Sequence, residues 1–109
     1  MKKFALALQA VLVLAASPVY ADTVTVKHHK EVDLGKFKCA TGRSVLIPRV
    51  CYDKANSYMV IKVGDEYYHY CEIDPRTVRS LLRARSIDDY YLTSIRGHFD
   101  CRTHRVPNY

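Results

Sequence analysis

Hydrophobic and polar positions alternate most clearly in the middle of the chain. Residues 45–52 and 58–63 are rich in β-branched and aromatic side chains, and residues 66–73 alternate in the same way. Period-two stretches that are separated by turn residues are typical of antiparallel strands. The pattern predicts a three-stranded meander. Pro48 marks its first strand as an edge strand, because proline cannot donate a hydrogen bond to a ladder.

The turn between the second and third strands sets the register that we expect there. Gly64 and Asp65 form a two-residue turn, which places Ile61 opposite Tyr68 and Met59 opposite Tyr70 on one face of the sheet. Alternation sends the intervening side chains to the other face. Because the first face is apolar and aromatic, we expect a helix to pack against it.

One main helix is predicted after the sheet. Asp74 is a favoured N-cap and Pro75 a favoured first helical residue. We expect the helix to end near Arg85, with a polar break at 86–89 and an apolar segment at 90–99 that packs back. The helix has an apolar stripe and a separate basic stripe, formed by Val78, Leu81 and Leu82 and by Arg76, Arg79 and Arg83. The fold class that follows is α+β, a small three-stranded antiparallel sheet followed by one main helix.

The beginning of the chain has the design of a secretory signal peptide. Two lysines precede an apolar run, and Val19-Tyr20-Ala21 fits a cleavage site. The run, residues 4–16, is shorter than the roughly 20 residues that a transmembrane helix needs. We therefore expect a periplasmic or secreted protein with no transmembrane segment after signal removal. The expected divisions are a signal peptide at 1–21, an N-terminal arm at 22–43, and a domain with a C-terminal tail at 44–109.

Composition adds charge and cysteine content to this picture. The formal net charge is +6, and loss of Lys2 and Lys3 with the signal peptide lowers it by two, which favours anionic partners. All four cysteines lie after the predicted cleavage site. An even count in an exported chain indicates two disulfides. The absence of any C-x-x-C pair argues against a zinc site.

The expected register also restricts the disulfide pairing. A four-residue loop at 53–56 places Tyr52 opposite Ser57 and Cys51 opposite Tyr58, with Cys71 in the same row on the back face of the sheet. Two strand spacings, about 9.6 Å, then separate Cys51 from Cys71, and a disulfide fails beyond about 7 Å. We therefore expect Cys51 and Cys71 each to pair with Cys39 or Cys101. These bonds would staple the flanking segments over the back face.

Residues 44–99 resemble a KTSC domain, a small domain named after a C-terminal segment of some lysyl-tRNA synthetases. Asp88 and Leu92 depart from the pattern, where glycine and asparagine are usual. The resemblance implies a small α+β domain, and the family's synthetase context suggests RNA binding. The four cysteines suggest an exported, stand-alone form. The matching residues, in order, are Tyr52-Asp53, Met59, Ile61, Val63, Gly64, Tyr68, Tyr70, Pro75, Ala84, Ser86, Tyr90-Tyr91 and Ile95-Arg96.

Aromatic and basic residues supply the candidate binding chemistry. Tyr68 and Tyr70 share their face with apolar residues, so we assign them to the core. Tyr67 and His69 face the other way and are the better ligand candidates, unless the stapled segments cover them. The basic stripe of the helix either contacts phosphate or is simply solvated. Its arginines, Arg76, Arg79 and Arg83, join the candidate ligand residues, and Arg96, Arg102, His104 and Arg105 add positive charge nearby in the sequence.

No motif points to a particular reaction. The chain has no nucleophile elbow, phosphate loop or pair of catalytic carboxylates, and the adjacent His28 and His29 lack strong metal-site spacing. We expect no cofactor and no metal. The leading hypothesis is a binding module whose partner is an anionic polymer such as nucleic acid, or an envelope protein. The alternatives are a small nuclease or hydrolase using His69, His98 and the arginines, and a protein-inhibitor module.

Overall fold

The computed structural model of the protein describes residues 22–28 and 31–109. The predicted signal peptide lies outside the described residues. Six strands and two helices follow one another in the described part of the chain. The strands are β1 (Thr23–Thr25), β2 (Glu31–Asp33), β3 (Lys38–Thr41), β4 (Arg49–Asp53), β5 (Tyr58–Val63) and β6 (Glu66–Tyr70). The helices are α1 (Pro75–Arg83) and α2 (Ile87–Tyr90), and a π-helical turn (Tyr91–Ile95) continues from α2. The fold is therefore α+β, with antiparallel sheets followed by two helices.

The main sheet has four strands in the order β3-β4-β5-β6, and β1 and β2 form a separate antiparallel pair. The prediction that the first strand of the meander lies at the sheet edge was wrong. β4 is internal because β3 pairs with it, with Cys39 directly opposite Cys51. Pro48 precedes β4 and removes no ladder bond from it. The Pro48 carbonyl instead accepts a hydrogen bond from Gly42 at 2.9 Å.

The predicted register is confirmed between β5 and β6, where Ile61 lies opposite Tyr68 and Met59 opposite Tyr70. It was wrong between β4 and β5, where Cys51 lies opposite Val60 rather than Tyr58. Asp53 remains in the strand, because its side chain caps the 3-10 turn Lys54–Asn56 that follows. The register therefore moves by two residues along the strand. An even shift leaves every side chain on its predicted face.

Two hydrophobic cores lie on the two faces of the main sheet. The front core lies between the sheet and the helices. It is built from Ile47, Val50, Met59, Ile61, Tyr70, Ile73, Val78, Leu81, Ile87, Tyr91 and Ile95. The back core is covered by the N-terminal and C-terminal segments. It is built from Val26, Val32, Leu34, Cys51, Tyr58, Val60, Cys71 and Cys101. The segment predicted as an arm thus contributes three strands and three buried side chains to the fold.

The disulfides join Cys39 to Cys51 and Cys71 to Cys101, with Cα–Cα distances of 4.0 Å and 4.9 Å. This confirms that Cys51 and Cys71 do not pair with each other. One bond fastens β3 to β4, and the other fastens the C-terminal segment to the end of β6. Disulfides are typical of proteins that reach an oxidising compartment.

The helix start was predicted correctly, with Asp74 at the N-cap and Pro75 as the first residue of α1. The helix ends at Arg83, slightly before the expected Arg85. The expected polar break at 86–89 was wrong, because Ser86 is the N-cap of α2 and its Oγ accepts a hydrogen bond from the Asp89 amide. Within the residues that the structure describes, no helix has the length and apolarity needed to cross a membrane.

Candidate functional site

Two grooves meet at the β6 edge of the main sheet, and Tyr68 lies between them. The first, which we call the edge groove, has a volume of about 370 Å³. It is lined by Lys27, His28, Tyr68, His69, Tyr70, Gly97, His98, Asp100, Cys101 and Arg102. The second, which we call the apolar groove, has a volume of about 520 Å³. It is lined by Lys27, Leu46, Val63, Tyr68, Tyr70, Tyr91, Leu92 and Arg96.

The N-terminal segment builds one side of this region. Val26 forms a parallel bridge with Tyr67, and the Lys27 amide donates a hydrogen bond to the Tyr67 carbonyl at 2.8 Å. This pairing brings the Lys27 ammonium to 5.6 Å from the centre of the Tyr68 ring. The same ammonium lies 3.6 Å from a carboxylate oxygen of Glu66. A cation is thereby held beside a half-buried aromatic ring, a favourable arrangement for both.

The C-terminal segment builds the opposite side. The Cys71 amide donates a hydrogen bond to the Phe99 carbonyl at 2.9 Å. The Cys71–Cys101 disulfide fixes the same segment two residues further along the chain. Gly97 supplies the positive φ of 84° that the chain needs just before this contact. The residues from Gly97 to Arg102 are therefore fastened along the end of β6, where they line the edge groove.

The lining of the edge groove carries both signs of charge. Its only acidic lining residue is Asp100, which is bound by the Arg102 guanidinium at 2.8 Å. Hydrogen bonds from the Arg102 side chain and amide hold the pKa of Asp100 at about 2, so the carboxylate stays ionised. Among the described residues, no group of three or more potential ligands is arranged to hold a metal ion. Of the two adjacent histidines that the sequence analysis weighed as metal ligands, His29 lies outside the described residues.

A residue of the back core, Tyr58, orients the ring of His69. Its Nδ1 is hydrogen-bonded to the Tyr58 hydroxyl at 2.7 Å, and the two rings meet edge to face. Burial raises the pKa of Tyr58, which keeps its hydroxyl protonated. His69 therefore lines the edge groove while one ring nitrogen is engaged in the back core.

The floor of the apolar groove is aromatic and uncharged. The hydroxyls of Tyr70 and Tyr91 are hydrogen-bonded to each other at 2.7 Å, and burial raises the pKa of both. Arg96 lines the groove with this pair, and its positive charge acts to lower the pKa of both hydroxyls. Arg96 and Lys27 are the charged residues in the lining, and both are cationic.

The candidate residues predicted from sequence do not form one site. His69 lines the edge groove, whereas the Tyr67 ring packs partly buried against the back core. The Tyr67 hydroxyl accepts a hydrogen bond from Arg49 at 3.3 Å. The helix arginines Arg76, Arg79 and Arg83 are exposed on α1 and line neither groove. They lie on the helix side of the sheet, away from Tyr67.

The two tyrosines assigned to the core differ in position. Tyr70 is buried, with 8% of its surface exposed, whereas Tyr68 is only partly buried and lines both grooves. Sequence reasoning gave no role to Lys27, which enters the site through a parallel bridge that leaves no local pattern. Arg96 and Arg102 were noted only as nearby charges, and the structure brings both to the grooves.

Comparison with known proteins gives one match. The model of the KTSC domain family matches residues 43–99, just over half of the chain. No curated protein and no solved structure matches the chain.

Proposed function

The chain belongs to the KTSC domain family, and on that premise we propose that it is an exported binding module for anionic polymers, foremost single-stranded nucleic acid. Family membership gives the domain and not a specific function. The proposal is carried by one observation: a partly buried tyrosine, Tyr68, separates two grooves whose linings include three cationic side chains. The three cations are Lys27, Arg96 and Arg102.

This arrangement suits a flexible polyanion. Proteins that bind single strands combine a positively charged groove with aromatic side chains on which bases stack. Tyr68 supplies an aromatic ring at the sheet edge, and Lys27 is already 5.6 Å from its centre. Arg96 lines the apolar groove and Arg102 lines the edge groove, and Tyr68 belongs to both linings. His69, which was a ligand candidate from sequence, contributes to the wall of the edge groove.

The proposed location is the periplasm or the extracellular space. Two observations support it: the disulfides, which are rare in reducing compartments, and the signal-peptide design of residues 1–21. The proposed mature chain therefore begins at Asp22. The described residues of the segment 22–43 then belong to the folded unit, because Val26, Val32 and Leu34 are buried in the back core.

The test is fluorescence anisotropy of the disulfide-bonded protein with a labelled single strand of about 12 nucleotides. We expect the logarithm of affinity to fall with the logarithm of salt concentration, with a slope of about −2 for three phosphate contacts. The variant Tyr68→Ala should bind roughly 5- to 100-fold more weakly, since stacking contributes about 1–3 kcal/mol per base.

The matched control is Arg76→Ala, which removes an exposed arginine from α1 outside both grooves. We expect its affinity for the single strand to stay within about twofold of that of the unchanged protein. Lys27→Ala should instead make the salt dependence shallower by about the contribution of one phosphate contact. Equal losses in Arg76→Ala and Lys27→Ala would assign binding to the helix arginines instead. If no polyanion binds, and if one envelope protein is captured at low and high salt alike, the protein-partner alternative replaces this proposal.

A second candidate function is cleavage of a phosphodiester. It is favoured by the fact that His69 and His98 line the same groove, beside Lys27, since a general acid and a general base are both needed in such reactions. The test is turnover of a fluorogenic RNA by the protein and by His69→Ala and His98→Ala. Turnover that both variants abolish would support catalysis, and turnover that both retain would assign it to a contaminant.

A further inference from the structure

Exposed apolar side chains gather in the apolar groove. Three large hydrophobic side chains are exposed in the described part of the chain, and two of them, Leu46 at 36% and Leu92 at 44%, line this groove. Val63, partly buried, lies in the lining with them. Apolar surface that is gathered in one concavity indicates an interaction site more strongly than scattered side chains do.

The lining residues are held by ordered backbone. The Leu46 carbonyl accepts a hydrogen bond from the Gly64 amide at 2.7 Å, and the Ile47 amide donates to Ser44 Oγ at 2.8 Å. Ser44 Oγ in turn donates to the Asp88 carboxylate at 2.6 Å, which ties this loop to α2. The exposed position of Leu46 is therefore fixed by the fold, so the groove is formed before any ligand arrives.

The charges around the groove have one sign. Its charged lining residues are Lys27 and Arg96, and no acidic side chain lines it. The floor hydroxyls of Tyr70 and Tyr91 bind each other and stay neutral. The groove thus offers apolar walls, an aromatic floor and two cations, which is complementary to a ligand with an apolar body and one negative group.

We propose that the apolar groove binds a monomeric amphiphile with one anionic head, either a long-chain carboxylate or an alkyl phosphate. The alkyl chain lies against Leu46 and Leu92, and the head reaches Arg96, with Lys27 as the second cation. The volume of about 520 Å³ lies within the range of small-molecule sites. A nucleic acid has no alkyl chain to fill these walls, and a bilayer presents a flat surface of head groups. A single amphiphile therefore covers the apolar walls, which a nucleic acid in contact with Tyr68 and Arg96 leaves exposed.

Isothermal titration calorimetry of the disulfide-bonded protein tests this with laurate and dodecyl phosphate below their critical micelle concentrations. Monolaurin supplies the same chain with a neutral head, and butyrate supplies the same head with almost no chain. We expect laurate and dodecyl phosphate to bind with a Kd on the order of 10 µM. Monolaurin should bind at least about tenfold more weakly, which is a difference of about 1.4 kcal/mol, and butyrate should show no heat.

Two variants of exposed apolar residues form a matched pair. Leu92→Asp places a negative charge in the groove and should weaken laurate binding at least about tenfold. Val45→Asp makes the same change at a side chain that is 99% exposed and outside the lining, and should leave laurate binding unchanged. A third variant, Arg96→Gln, should reduce the preference for laurate over monolaurin. Because both aspartate substitutions are at exposed positions, thermal unfolding should be nearly the same for both.

Several results would overturn the proposal. One is equal affinity for laurate and monolaurin, and another is an equal loss of laurate affinity in Leu92→Asp and Val45→Asp. A third is binding of the protein only to micelles or to anionic vesicles. Binding of a leucine- and aspartate-containing peptide in place of laurate would also overturn it. The outcome is separate from the polyanion proposal, because laurate has no base to stack on Tyr68 and a nucleic acid has no alkyl chain to lie against Leu46 and Leu92, so either ligand can bind where the other fails.

Discussion

Asp53 is the one charged side chain that is buried among the described residues, with 8% of its surface exposed. It accepts hydrogen bonds from the Ala55 amide, from the Asn56 side chain at 2.7 Å and from the Tyr109 hydroxyl at 2.6 Å. Burial acts to raise its pKa, but the hydrogen bonds outweigh burial and lower the pKa below its usual value. Asp53 thus links the turn after β4 to the last residue of the chain.

Replacement of Tyr109 by phenylalanine tests this link. We expect Tyr109→Phe to lower the free energy of unfolding by about 1.5–3 kcal/mol, the contribution of a hydrogen bond to a charged group. A carboxylate whose folded pKa is depressed stabilises the fold above its unfolded pKa of about 3.9, and this stability is lost as pH falls through the folded pKa. Urea denaturation should therefore show a larger difference between the proteins at pH 7 than at pH 2.5. An equal difference at both pH values would mean that the hydroxyl stabilises the fold independently of the ionisation of Asp53.

The buried hydroxyl pair of Tyr70 and Tyr91 makes a different prediction. Tyr70→Phe and Tyr91→Phe each leave one buried hydroxyl without its partner, at a cost of about 1–3 kcal/mol. The double variant removes both groups, so we expect its unfolding free energy to lie no lower than that of the weaker single variant. A double-mutant cycle by urea denaturation gives the coupling. Strictly additive losses would contradict the direct bond between the two hydroxyls.

At the scale of elements, Ser86 explains how a polar stretch begins a helix. Its Oγ accepts a hydrogen bond from the Asp89 amide at 3.1 Å, and Asp88 and Asp89 lie in the first turn of α2, where the helix dipole favours negative charge. We expect Ser86→Ala to lower the free energy of unfolding by about 1 kcal/mol. Ser80→Ala in the exposed middle of α1 is the control and should have no destabilising effect. Equal thermal denaturation curves for the two variants would show that α2 does not depend on this cap.

The elements that sequence predicted are those with local signals. The β5–β6 register follows from the Gly64-Asp65 turn, and the start of α1 follows from Asp74 and Pro75. β3 has no alternating apolar pattern, and its place beside β4 depends on distant pairing that includes the Cys39–Cys51 bond. The first strand of the meander was therefore taken for an edge. In the same way, residues 86–89, three of which are polar, were taken for a break because the cap residue Ser86 was read as a loop residue.

At the scale of the whole molecule, the candidate site depends on contacts between parts of the chain that are far apart in sequence. Lys27 reaches Tyr68 through the bridge of Val26 to Tyr67, and Arg102 reaches the edge groove through the Cys71–Cys101 bond. Periodicity describes one element at a time and gives no information on such pairings. It did assign the two faces of the sheet correctly, and the even shift in register left that assignment intact. The sequence therefore indicated the face on which Tyr68 lies, although this residue was assigned to the core, and it did not indicate the pairings that bring Lys27 and Arg102 close to it.

The two disulfides are expected to contribute unequally to stability. In the chain-entropy model, the Cys39–Cys51 bond, with a sequence separation of 12, contributes about 3 kcal/mol. The Cys71–Cys101 bond, with a separation of 30, contributes about 0.8 kcal/mol more. Its loss also loosens the segment that carries Tyr109, whose hydroxyl binds Asp53. We therefore expect Cys71→Ser with Cys101→Ser to destabilise the fold more than Cys39→Ser with Cys51→Ser, as measured by urea denaturation.

Limited trypsin digestion distinguishes this cause from a general loss of stability. When Cys71 and Cys101 are both serine, cleavage should begin after Arg102 and Arg105, because the segment that they occupy is no longer fastened to β6. When Cys39 and Cys51 are both serine, these two sites should be cut no faster than in the oxidised protein under conditions where both remain folded. Early cleavage at the same sites in both variants would show that the C-terminal segment is held by the back core as a whole, and that the Cys71–Cys101 bond is not what positions Arg102 at the edge groove.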